Sequence, residues 1–82
     1  MSTRNAQITA PAPDRAEQGS HHWVITLDLP GRAAATQYGT LTPAPGATRY
    51  DTFLTIRQYV VDEYPELTGA TVVFFALEAN QL

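Results

Sequence analysis

Residues 23–29 read Trp23-Val24-Ile25-Thr26-Leu27-Asp28-Leu29. In an extended chain, Trp23, Ile25, Leu27 and Leu29 fall on one side, and Val24, Thr26 and Asp28 on the other. This period-two alternation marks a strand with one buried face. Pro30-Gly31 ends it, because proline fixes φ and glycine tolerates positive φ. Beyond the break, Thr36, Tyr38 and Thr40 alternate again, so a second strand is expected over Ala35–Leu41. A loop near Gly31–Ala34 makes the two strands a hairpin.

Further along, Pro43-Ala44-Pro45-Gly46 interrupts the chain, and Thr48 stands three residues before Asp51. A threonine hydroxyl at a helix start accepts a free backbone amide, and an acid in the first turn meets the positive end of the helix dipole. The spacing predicts a helix from Arg49 to about Tyr64, stopped by Pro65. At about 100° per residue, Tyr50, Phe53, Leu54, Val60, Val61 and Tyr64 gather on one side, with Ile56 at its margin. Asp51, Thr55, Gln58, Tyr59 and Asp62 lie opposite. The run Ala70-Thr71-Val72-Val73-Phe74-Phe75-Ala76-Leu77 then reads as a strand that is apolar on both faces.

The order β-β-α-β predicts an α+β fold: a three-stranded antiparallel sheet of order 2-1-3 with one helix packed on one face. A right-handed crossover that skips one strand sets the third beside the first. One helix covers one face, here expected to hold Val73, Phe75 and Leu77 of the last strand. The other face, with Val24, Tyr38, Val72, Phe74 and Ala76, is left as an exposed apolar patch. The last strand is also an edge without Pro, Lys or internal charge to deter pairing. Two answers suggest themselves. A second copy packs there, sheet to sheet or edge to edge, or the tail or C-terminal segment folds over the patch.

Composition points the same way. The 82 residues allow one domain. Residues 1–20, with Ala10-Pro11-Ala12-Pro13 and few large aliphatics, read as a disordered tail, and 21–82 as the domain. So small a domain is marginally stable and usually carries a staple. Cysteine is absent and only two histidines occur, which argues against a disulfide or a closed zinc site. A partner subunit remains.

The formal charge is −3, and no cation is a lysine. Arg4 and Arg15 balance Asp14 and Glu17, so the whole charge sits beyond residue 20. There Arg32, Arg49 and Arg57 face Asp28, Asp51, Asp62, Glu63, Glu66 and Glu78. That balance makes nucleic acid an improbable partner, because neutralising phosphates takes several clustered cations. The longest apolar run, Val72–Leu77, is too short to span a bilayer, and no secretory signal is visible. A cytoplasmic protein is expected.

No residue set suggests catalysis, a cofactor, a metal or a small-molecule substrate. His21 and His22, adjacent on a strand, point to opposite faces and cannot easily share an ion. Asp62, Glu63 and Glu66 crowd the helix end, where acids are unfavourable. Ser20 and His21 have no third partner for a triad, and no glycine spacing marks a phosphate loop. Arg57 falls inside the predicted apolar sector. Either its stem packs while its guanidinium snorkels to water or pairs with Asp28 or Glu78, or it faces a partner or an anionic ligand at the sheet edge. Tyr59 is expected to project from the polar face, either as a singly exposed aromatic or, with Thr52 and Thr55, as a small contact surface.

Three segments resemble a set of short actinobacterial proteins of no assigned activity, often encoded on plasmids and integrative elements. They are His22-Trp23-Val24-Ile25-Thr26-Leu27, Ile56-Arg57, and Phe74-Phe75-Ala76-Leu77-Glu78-Ala79-Asn80-Gln81-Leu82. Ala79 stands where that group's ending has proline. The resemblance implies a cytoplasmic bacterial protein of the kind that mobile elements encode, and transfers no catalytic residue. The expected function is therefore a non-catalytic interaction or accessory protein that self-associates through its last strand. The alternative is a nucleic-acid-linked regulator using Tyr38, Phe74 and Arg32 on the sheet.

Overall fold

The computed structural model describes residues 18–82. Its elements are β1 (His21–Leu29), β2 (Ala33–Leu41), α1 (Arg49–Glu63), a 3₁₀ turn (Pro65–Leu67) and β3 (Thr71–Ala79). The strands form one antiparallel sheet of order β2-β1-β3, and α1 packs on one face. This is the predicted α+β arrangement. Residues 1–17 of the expected tail lie outside the described residues. Gln18–Ser20, assigned to that tail, are tied to the sheet. The Gly19 and Ser20 amides donate to the Thr40 and Thr42 hydroxyls, and the Asn80 side chain donates to Gln18 Oε1 and the Gly19 carbonyl.

Local chemistry explains the joints. The Arg32 amide donates to the Leu29 carbonyl at 2.9 Å, closing a turn with Pro30 second and Gly31 third. Gly31 has a φ of 78°, the left-handed value such a turn requires at that place. Because this turn is tight, Ala33 and Ala34 pair with Leu29 and Asp28 and belong to β2, two residues earlier than expected. Helix α1 starts with a full capping box. The Asp51 amide donates to Thr48 Oγ1 at 3.0 Å, and the Thr48 amide donates to Asp51 Oδ2 at 3.2 Å.

The core is Trp23, Ile25, Leu27, Leu77, Ile56 and Val60, closed at one end by Leu67 and Ala70. Two features depart from the periodicity. First, β1 and β3 keep one register from His21↔Ala79 to Thr26↔Phe74, then shift so that Leu27 faces Val72. Val73 is left without a partner, a β-bulge. The bulge reverses the pleat, so Val72 joins Phe75 and Leu77 against the core, while Val73 is 61% exposed. Val72 was expected on the uncovered face and Val73 on the helix side; the structure exchanges them.

Second, α1 buries Thr52, Ile56 and Val60, a line turned roughly 100° from the predicted one. Tyr50 and Leu54, expected inside, are exposed. Thr52 can be buried because its hydroxyl donates to the Thr48 carbonyl at 3.0 Å. Phe53 keeps a flank of the core through an edge-on contact with Phe75, ring centres 5.0 Å apart.

Candidate functional site

The sheet face away from α1 carries three cross-strand rows. Tyr38, Val24 and Ala76 form one; Thr36, Thr26 and Phe74 the next; Thr40, His22 and Glu78 a third. Of the expected contact residues, Val24, Tyr38, Phe74 and Ala76 therefore do meet on one face, and Val72 does not. Tyr38 and Phe74 are more than half exposed, and Val24 and Ala76 are half-buried between them. The Thr26 and Thr36 hydroxyls bond each other at 2.8 Å, which leaves the strip between the two aromatic residues nearly without free polar groups. Its ionisable groups lie at the ends: His22 and Glu78 at one, Asp28 at the other.

Nothing among the described residues covers this strip. Asn80 turns back to the Ser20 carbonyl, and Leu82 is fully exposed. The β3 edge is less open than its sequence suggested. The Val73 bulge interrupts it, and Arg49 from α1 donates to the Leu77 carbonyl at 3.1 Å. Both features hinder pairing with another strand. His21 and His22 take opposite faces as expected, with His21 Nδ1 2.8 Å from Ser20 Oγ. No group of three or more His, Cys, Asp or Glu residues among the described residues could hold a metal.

A second feature was not foreseen. A groove of about 490 Å³ lies between β2 and α1, floored by Trp23 and Gly39 and walled by Gln37, Tyr59, Glu63 and Tyr64. Gly39, across from Trp23, turns no side chain toward the helix and so leaves the layer thin there. The Trp23 indole lies over Gly39, where an added Cβ would stand 3.0 Å from Cζ2. Tyr59 meets the indole edge-on with ring centres 6.2 Å apart. Tyr59 thus leans over the groove while staying exposed, as expected of it. The signal available in the sequence was Gly39 directly across from the only tryptophan.

Arg57 is half-buried at the other flank of α1, beside Asp62, Pro65 and Gly69. It bonds neither Asp28 nor Glu78, because those two lie on the sheet face that α1 does not cover. The helix rotation also moves it from the middle of the buried sector to its border. No helix among the described residues is long and apolar enough to cross a membrane. Comparison with protein-family models, curated proteins and solved structures finds no match to this chain.

Proposed function

We infer that this chain is a small non-catalytic interaction protein of the bacterial cytoplasm that self-associates through the open face of its sheet. One observation carries the reading: the uncovered strip Tyr38-Val24-Ala76 with Phe74 beside it. Apolar surface of this kind gains free energy when removed from water, at roughly 25 cal/mol per Å². A second copy is the favoured occupant. The strip is self-complementary, uncharged along its middle, and bounded by groups of opposite tendency, His22 beside Glu78. Two sheets stacked face to face across a two-fold axis bury all four residues at once. The obstructed β3 edge favours this packing over strand pairing.

The open face of three strands measures roughly 14 by 30 Å from standard strand spacings, a small patch beside the ~800 Å² per partner of stable interfaces. The dimer is therefore weak and concentration-dependent. Light scattering across a dilution series tests it. The native chain should shift from dimer to monomer on dilution, and Phe74→Glu should be monomeric throughout with an unchanged circular dichroism spectrum. A native chain that stays monomeric at its solubility limit would overturn the reading. Retardation of nucleic acid at low salt, abolished by the same substitution, would replace it with the regulator alternative.

A further inference from the structure

We propose that the groove between β2 and α1 binds a small organic cation through a methylated ammonium headgroup. Four aromatic residues, Trp23, Tyr38, Tyr59 and Tyr64, line the groove; Tyr38 sits at its rim, its side chain in the row with Val24 on the other sheet face, and Glu63 is the only charged residue of the lining. Aromatic faces attract cations through their quadrupole, and quaternary ammonium groups are bound in this way in aromatic cages. A methylated ammonium has no N–H groups, or few, that need acceptors. It can therefore sit against rings where a primary amine would leave donors unsatisfied.

Charge complementarity decides the sign of the ligand. No Arg lines the groove and the chain has no lysine, so an anion would find no countercharge there and repulsion from Glu63. The last turn of α1 holds no basic residue, so the negative end of its dipole adds to the Glu63 charge. The volume of about 490 Å³ lies in the range of small-molecule sites, roughly 300–1,000 Å³. It suits a headgroup with a short neutral tail. Tyr59 and Tyr64 are 56% and 38% exposed, so each offers surface to a ligand. Trp23 is buried beneath them and supplies the floor.

The groove reads itself out, because Trp23 is the only tryptophan. The full chain is titrated with choline while indole fluorescence is followed. The control is 3,3-dimethylbutan-1-ol, which has choline's shape without its charge. Choline should give a saturable change, the alcohol should bind at least about tenfold more weakly, and Glu63→Gln should weaken choline by about tenfold. Tyr59→Leu should weaken choline without weakening the alcohol. Thermal melts verify that each variant is folded. Equal binding of choline and the alcohol, indifference to Glu63→Gln, or no saturable response to choline would each overturn the proposal. So would marked preference for a trimethyl-lysine peptide over choline, which would make the ligand a protein side chain.

Discussion

Replacing Gly39 by alanine sets two effects of known sign against each other. Alanine restricts the unfolded chain, which by itself stabilises by about 0.4–1 kcal/mol where the native backbone accepts it. Against this, the new Cβ stands 3.0 Å from Trp23 Cζ2, 3.2 Å from Cε2 and 3.4 Å from Nε1. All three are indole atoms, and the ring is 5% exposed with Tyr59 packed on it. Overpacking of this kind costs about 1–3 kcal/mol. The cost wins, by about 1 kcal/mol, which lowers Tm by roughly 4–8 °C in a domain of this size. Urea unfolding followed by indole fluorescence measures it directly. The decisive control is Trp23→Phe, which removes the Nε1 and Cζ2 contacts. In that background, read by circular dichroism, Gly39→Ala should be neutral or stabilising. The resulting coupling between the two sites is about 1–2 kcal/mol. An equal cost in both backgrounds, or a higher Tm for Gly39→Ala with Trp23 present, would refute the reasoning.

Two further substitutions test the helix. Thr48→Ala removes the hydroxyl that accepts the Asp51 amide at 3.0 Å and should cost about 1 kcal/mol, with Thr48→Ser restoring most of it; thermal melts of the two variants decide this. Thr52→Val removes a buried hydroxyl but orphans nothing, because the Thr48 carbonyl still accepts the Thr52 amide at 3.1 Å. Its effect in urea denaturation should stay within about 1 kcal/mol of zero, and a much larger loss would show that the hydroxyl is essential.

These substitutions fall where sequence and structure part company. The elements were legible because their signals are local. Alternation over Trp23–Leu29 makes a strand wherever it is placed, Pro30-Gly31 turns the chain by its own dihedrals, and Thr48 with Asp51 caps a helix through atoms three residues apart. The chirality of crossovers then led from element order to sheet order β2-β1-β3. The meeting of Val24, Tyr38, Phe74 and Ala76 on one face followed from that order.

What alternation could not supply is its own phase. A single unpaired residue, Val73, reverses the pleat, and nothing in Val72-Val73-Phe74-Phe75 says which valine is skipped. The sheet decides it by matching Phe75 and Leu77 to Ile25 and Trp23, and Val72 to Leu27 across the bulge. The rotation of α1 is likewise a tertiary outcome. An apolar tally favoured the Tyr50–Leu54 side. A threonine that bonds its own helix, and a tyrosine able to lean on Trp23, buried the neighbouring side instead. The sequence by itself determined the elements, their order and an acidic, cysteine-free domain, because those depend on near neighbours and composition. Only the packed structure decided that Val72 turns inward, that Arg57 stands at the border of the core, and that Gly39 on β2 leaves a groove over Trp23. Each of these depends on a pairing between residues far apart in the chain.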